Sequence, residues 1–246
     1  MRNIKLIIQY DGTAYHGWQT QKNAPTVQEI IEQALLKLTG SKPNVIGCSR
    51  TDAGVHAKRF CCNFKSETTI PENRFTLALN TYLPDDIVCL GAEDVSSDFN
   101  ARFSAVKKTY TYYVQNSKLP NAFQRNYAWH FPYKVNIDDM NKAAKAFIGE
   151  HDFIGFASSG YTVKTTVRTI YDLTVEKSGD LIKITVTGNG FLYNMVRIIA
   201  GTLCFVGSGK IAPEEMEDII ASCDRKRAGM TAPPDGLFLS EVFYEE

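Results

Sequence analysis

The sequence lacks a surplus of charge of either sign. Its 246 residues carry 27 Lys+Arg and 27 Asp+Glu, a formal net charge of zero. Nucleic-acid binders usually offer phosphates a basic surface, so this balance counts against that class unless the bases gather on one face. Metal-ligand spacing is missing too. None of the six cysteines (Cys48, Cys61, Cys62, Cys89, Cys204, Cys223) forms a Cys-x-x-Cys pair. The four histidines, His16, His56, His130 and His151, are scattered, so no metal site is expected. No apolar run approaches the roughly 18 residues of a membrane helix. The opening Met1-Arg-Asn-Ile-Lys5 enters a strand-like run without the apolar core and cleavage site of a secretory leader. These absences lead to the expectation of a soluble cytoplasmic protein, with reduced, mostly buried thiols and no membrane partner.

Cofactor motifs are also incomplete. Gly188-Asn189-Gly190 has no third glycine to finish a dinucleotide fingerprint. Gly207-Ser208-Gly209-Lys210 ends like a P-loop, but Ile211 stands where Ser or Thr is required, and a helix precedes it. Both read as turns, with Gly190 kept as a candidate anion site before a helix. No G-x-S-x-G nucleophile elbow, internal repeat or low-complexity linker occurs.

What is present is a globular composition. It is 44% hydrophobic, with 12 Tyr and 14 Phe, enough for one or two sizeable cores. Val27, Ile30, Ile31, Ala34, Leu35 and Leu38 recur with helical period, Thr26 and Glu29 have capping-box spacing, and Gly40 can end the helix. Further helices are expected from Pro71 to about Asn80, from Asn136 to Ile148, from Phe191 to about Val206, and from near Pro213. Strands are expected at 4–10, 45–48, 60–64, 87–95, 104–115, 168–176, 181–187 and 237–243. In the longest, Tyr110, Tyr112 and Val114 share one face and Thr109, Thr111 and Tyr113 the other. Strands and helices mix without regular βαβ alternation. The expectation is an α+β protein with antiparallel sheets backed by helices, in two domains, 1–104 and 105–246.

One segment concentrates chemistry. In Ser49-Arg50-Thr51-Asp52-Ala53-Gly54-Val55-His56-Ala57, a strand ends and a compact loop gathers Arg50, Asp52 and His56. A carboxylate beside a guanidinium stays ionised at neutral pH and can act as nucleophile or general base without an activating partner. On spacing alone the simpler reading is a turn or cap aspartate with Arg50 in a surface ion pair, because Asp-Ala-Gly turns are common.

The same nine residues resemble the signature of the tRNA pseudouridine synthase A family, with its R-T-D-A-G-V-H core. Other blocks follow in order. Tyr10-Asp-Gly-Thr-Ala-Tyr-His-Gly-Trp-Gln19 is similar to the family's opening Y-D-G-x-x-[YF]-x-G-[WF]-Q. Leu79-Asn-Thr-Tyr-Leu-Pro-Asp-Asp-Ile87 and Phe99-Asn-Ala-Arg-Phe-Ser-Ala105 with Tyr110-Thr-Tyr112 match two more. His151-Asp-Phe153, Phe191 to Gly201 and Asp235-Gly-Leu-Phe-Leu239 complete a pattern covering nearly the whole chain. Ser49 stands where many members have Gly. Thr109 stands where a basic residue is frequent, with Lys107 and Lys108 close by.

The resemblance implies a pseudouridine synthase fold with an active-site cleft between the domains, and Asp52 as catalytic carboxylate. The implied reaction isomerises uridine to pseudouridine at positions 38 to 40 of the tRNA anticodon stem-loop. The carboxylate attacks C1′, attacks C6 or assists glycal formation; all three routes stay open. Substrate and product contain the same atoms, so no cofactor is implied. Tyr110 would stack on the flipped uracil and Leu237 would pack against it. Arg50 would contact RNA or fill the space of the extruded nucleotide. Arg197 has an argument of its own. Its helix is apolar on nearly every side, and a buried arginine needs a carboxylate or several acceptors. Asp52 is one candidate partner, supported by the resemblance; snorkelling to the surface is the alternative. Lys58, Arg59, Arg102, Lys107 and Lys108, with Lys118 and Arg125, are candidate phosphate contacts. The family's members are homodimers that bind one tRNA across both subunits. Pairing would join basic patches despite zero net charge. Two rivals are a non-catalytic RNA binder on this fold and a carboxylate-dependent nucleoside hydrolase. The Asp52, Tyr110 and Arg197 set argues against the first. The lack of a second acidic motif beside Asp52 argues against the second.

Overall fold

The structure, a computed structural model, describes residues 1–160 and 163–245. In chain order the elements are β1 (Arg2–Tyr10), α1 (Val27–Thr39), β2 (Ile46–Gly47), β3 (His56–Ser66), α2 (Glu72–Asn80), β4 (Ile87–Val95) and β5 (Ala105–Gln115). They continue as β6 (Trp129–His130), α3 (Ile137–Lys145), β7 (Gly149–Asp152), β8 (Val167–Ser178), β9 (Leu181–Gly188), α4 (Met195–Gly207), α5 (Met216–Ala221) and β10 (Leu237–Tyr244). The class is α+β. Two compact units form: Met1–Val106 with Phe238–Glu246, and Lys107–Leu237. The last strand is thus counted with the first unit, although it is last in sequence.

In the first unit the strand order is β4-β1-β3-β10. β1 alternates, with Ile4, Leu6, Ile8 and Tyr10 buried and Gln9 exposed, which gives the sheet one covered face. It pairs antiparallel with β3 in the register Ile4↔Phe64, Leu6↔Cys62 and Ile8↔Phe60. β10 joins the other edge of β3 in parallel, Phe238 opposite His56. α1 buries Val27, Ile31, Ala34 and Leu35, the stripe its period predicts. Its expected capping box does not form: the Thr26 hydroxyl makes no cap bond and is buried without a partner. Two first-turn donors are met from outside the helix instead. Val27 N–H donates to the Gly17 carbonyl (3.2 Å) and Gln28 N–H to the Trp18 carbonyl (3.0 Å).

In the second unit the order is β5-β9-β8-β7, all antiparallel, with β6 parallel to β5. Tyr110, Tyr112 and Val114 lie opposite Val186, Ile184 and Ile182, and all six are buried. β8 and β9 form a hairpin that turns at Gly179, whose φ of +58° suits glycine. α3 is capped by the Asn136 side chain, which accepts from the Asp138 and Asp139 amides. It ends at Lys145, three residues before the expected stop. α4 starts at Met195 rather than Phe191, because Asn194 takes the left-handed conformation (φ 61°) and breaks the helical run. Gly190 therefore precedes no helix, and the anion-site expectation there is withdrawn.

All six cysteines are free; Cys223 is exposed and the others are buried. Burial pushes the Cys61 and Cys89 thiols up to about 11 and Cys204 up to about 12, far from thiolate chemistry at neutral pH. Among the described residues, no helix is long and apolar enough to cross a membrane, and no cluster of three His, Cys, Asp or Glu is arranged to hold a metal ion.

Candidate active site

Asp52 lies in the first unit, partly buried, on the loop between β2 and β3. It is a turn residue: its carbonyl accepts the Val55 N–H (3.2 Å). The loop is gripped from outside by the segment that follows β1. Trp18 N–H donates to the Thr51 carbonyl (3.1 Å), and Gly54 N–H donates to the Tyr15 carbonyl (3.2 Å). Tyr10 and Thr51 share a buried hydroxyl–hydroxyl hydrogen bond of 2.9 Å. Two glycines permit this approach. A β-carbon at Gly12 would collide with the Val55 carbonyl, and one at Gly17 (φ +85°) with the Thr51 carbonyl. Trp18 then anchors the segment, stacking on Phe60 of β3 with ring centroids 4.0 Å apart.

A third segment supports the second. Asp86 accepts from the Tyr15 hydroxyl (2.7 Å) through its side chain and from the Asp11 amide (2.9 Å) through its carbonyl. The blocks Tyr10–Gln19, Ser49–Ala57 and Leu79–Ile87, separate in sequence, thus build one object. Four of these six hydrogen bonds join main-chain atoms. The Asp52 backbone is fixed by the Val55 N–H and by the grip on its neighbours Thr51 and Gly54.

Tyr110, Arg197 and Leu237 belong to the second unit. Tyr110 is 6% exposed and meets Phe191 edge-to-face, centroids 5.1 Å apart. Arg197 is half-buried in the first turn of α4. Its Nε donates to the Ala232 carbonyl (2.7 Å) and one Nη to the Asn194 side-chain oxygen (2.7 Å). Both acceptors help hold the guanidinium. Asn194 was missed because no spacing rule points to it; its one signal is that asparagine tolerates left-handed backbone. Tyr193 precedes the helix and is 48% exposed.

The segment 229–237 joins these residues. Ala232 N–H returns a bond to the Arg197 carbonyl (3.1 Å). The Pro233 carbonyl accepts the Tyr112 hydroxyl (2.7 Å). Gly236 packs so closely on β5 that a β-carbon would meet the Tyr113 carbonyl and the Tyr112 ring. Leu237, 6% exposed, follows directly. One strap therefore ties α4, at Arg197, to β5, two residues beyond Tyr110.

The remaining candidates are mostly at the surface. Arg50 is exposed. Lys58 lies over the Phe238 ring (5.4 Å), Arg59 faces Glu241 (3.6 Å), and Arg102 lies over Phe103 (5.5 Å). Lys107 and Lys108 are half-buried at the start of β5. From Phe99 to Ile137 the sequence has no Asp or Glu, while Arg102, Lys107, Lys108, Lys118, Arg125 and Lys134 fall within it. That is the local basic concentration a neutral chain needs to meet phosphates.

A family model described as tRNA pseudouridine synthase matches residues 6–104 and 143–245. A tRNA pseudouridine synthase A from Thermoanaerobacter sp. (strain X514) is 53% identical over 244 residues, 99% of this chain and 100% of that protein. The tRNA pseudouridine synthase A of Acetivibrio thermocellus is also 53% identical over the same shares. That of Clostridium acetobutylicum is 50% identical, again over 99% and 100%. Among solved structures, the crystal structure of a Cbf5-Nop10-Gar1 complex aligns with 97% of this chain and 59% of its own at 11% identity. Its TM-score of 0.41 is too low to carry any inference.

Proposed function

The chain belongs to the tRNA pseudouridine synthase family, and from that premise we propose Asp52 as the carboxylate that carries its reaction. The enzyme isomerises uridine to pseudouridine in tRNA. The N1–C1′ bond breaks, the uracil turns, a C5–C1′ bond forms, and the C5 proton leaves while N1 takes one up. The single observation that supports Asp52 is its mounting. Three sequence segments immobilise its backbone through main-chain bonds, as a positioned nucleophile or base requires.

Tritium release tests the activity. tRNA carrying 5-tritiated uridine should lose one tritium to water for each pseudouridine made. No release would sink the enzyme; free uracil would instead indicate a hydrolase.

In this reading, Tyr110 stacks on the flipped uracil and helps remove the C5 proton. Leu237 packs against the base. Arg197, oriented by Asn194 and Ala232, binds the substrate, and Arg50 contacts RNA or fills the gap left by the extruded nucleotide. Tyr110→Ala should lower kcat/KM by roughly the 1–3 kcal/mol of one base stack. Tyr110→Phe should keep the stacking share and lose only the hydroxyl's; equal losses in steady-state kinetics would remove the stacking role.

The substrate positions are 38 to 40 of the anticodon stem-loop, reached by flipping the nucleotide out. Lys58, Arg59, Arg102, Lys107 and Lys108 meet phosphates. Replacing Lys107 and Lys108 by Ala should flatten the slope of log K against log salt by about 1–2, since each duplex phosphate contact contributes about 0.9. An unchanged slope would take these lysines off the RNA. The enzyme works in the cytoplasm as a homodimer, so sedimentation at micromolar concentration should return twice the 27.5 kDa chain mass.

A further inference from the structure

His56 has no task in the reaction as described, yet it is 1% exposed and opens β3 just beyond the Asp52 loop. Its ring stacks on Phe238, centroids 4.5 Å apart and planes inclined by 20°. Two atoms crowd its Nδ1: the Gly12 amide nitrogen at 3.0 Å and Asp11 Oδ1 at 3.1 Å. A ring nitrogen offers either a lone pair or a proton. The Gly12 contact needs the lone pair, and an ion pair with Asp11 needs the proton, so the two are exclusive.

Geometry favours the lone pair. Gly12 is buried, and its N–H would have its acceptor turned into a competing donor at 3.0 Å if Nδ1 were protonated. Asp11 Oδ1, in contrast, already accepts from the Thr13 amide (2.9 Å) and the Thr13 hydroxyl (2.6 Å). The neutral ring then carries its proton on Nε2.

We propose that His56 is a positioning residue for Asp52: as the neutral Nε2–H tautomer it accepts the Gly12 N–H at Nδ1 and pins the Asp11–Gly12 turn to the end of the Asp52 loop. The inference rests on the catalytic reading of Asp52. The mechanical link is short. Gly12 lies flush against the Val55 carbonyl, with no room for a β-carbon. Val55 N–H in turn closes the turn on the Asp52 carbonyl (3.2 Å). Releasing Gly12 therefore frees Val55 to shift, and the turn that aims the carboxylate shifts with it.

Long-range proton–nitrogen correlation on protein labelled with 15N in the imidazole rings tests the tautomer at neutral pH. A pyridine-type Nδ1 at His56 is expected; a pyrrole-type Nδ1 would overturn the proposal. Two variants test the mechanics. His56→Asn sets an amide oxygen the same two bonds from Cβ as Nδ1, preserving the acceptor. His56→Gln sets it one bond farther and strands Gly12. Asn should keep kcat within about threefold of wild type, while Gln should lose about 10- to 100-fold in kcat, as expected for a displaced catalytic group. KM for tRNA should move by less than about twofold in both, because the mechanism touches aim and not binding. Equal losses in Asn and Gln would overturn the role. If neither variant folds, the tautomer in the wild-type protein decides. Failure of the catalytic reading looks different: Asp52→Asn would stay active, whatever the tautomer, which is read without turnover.

Discussion

Asp52→Asn should abolish pseudouridine formation, lowering kcat by about 10⁴-fold or more, the range seen when a reacting group is removed. The substitution is nearly isosteric. It leaves the backbone bonds of the turn untouched: Val55 N–H to the residue 52 carbonyl, Trp18 N–H to Thr51, and Gly54 N–H to Tyr15. Stability should therefore change little, because the main chain holds the turn. An amide oxygen is a feeble nucleophile and a feeble base, so chemistry should fail while tRNA binding survives. The measurement is paired. Tritium release from 5-tritiated tRNA should vanish, and the Kd for the same tRNA should stay within about threefold of wild type. Release at the wild-type rate would remove Asp52 from the mechanism. Loss of binding in parallel would make it a docking residue.

How Asp52 reads from sequence shows what spacing can and cannot carry. Spacing made it an ordinary turn aspartate, and that is what its backbone is, with Val55 N–H closing the turn. Turn and catalyst are not rival readings. The turn presents the side chain, and the grip of Tyr10–Gln19 makes the presentation rigid. That grip was illegible, because main-chain bonds between distant segments leave no periodic trace. The family blocks recorded it only as motifs whose glycines had no stated reason. Gly12 and Gly17 now have one, the approach of the Val55 and Thr51 carbonyls.

Elements with strong local patterns were legible. The β1 alternation and the α1 stripe followed side-chain burial directly. Three features were not. β7 (Gly-Glu-His-Asp) carries no apolar period, and only its pairing with β8 makes it a strand. The start of α4 slipped by a turn, because left-handed Asn194 interrupts an otherwise continuous apolar run. β10 read correctly as a strand, but its parallel pairing with β3, nearly the whole chain away, is a long-range choice that local pattern cannot encode. At Arg197 the apolar run signals that the guanidinium needs acceptors but not which; Asn194 and the Ala232 carbonyl are two that the structure provides.

Gly17→Ala should have the second largest effect, through the same loop from the other side. Gly17 sits at φ +85°, where an L-residue costs about 1–2 kcal/mol. Its new β-carbon would also collide with the Thr51 carbonyl, and overpacking of that kind costs about 1–3 kcal/mol more. The two together come to about 3 kcal/mol, or a fall in Tm of about 6–12 °C for a chain of this size. Relief can come only by pushing Thr51 away, because Gly17 is itself held by its carbonyl on the Val27 N–H and Trp18 is held by its stack on Phe60. Thr51 adjoins Asp52, so kcat should fall by about 10²-fold at a temperature where the variant remains folded, the loss expected for about 1 Å of misplacement. Gly40→Ala is the control. Gly40 shares the left-handed conformation, φ +78°, at the end of α1, but a β-carbon there meets nothing within 4 Å. It should lose about 1–2 kcal/mol of stability and no activity. Denaturant unfolding beside single-turnover kinetics separates the cases. If Gly17→Ala matched Gly40→Ala in activity, the grip on the Asp52 loop would be a matter of stability alone, and the mounting of the carboxylate would lose its claim to function.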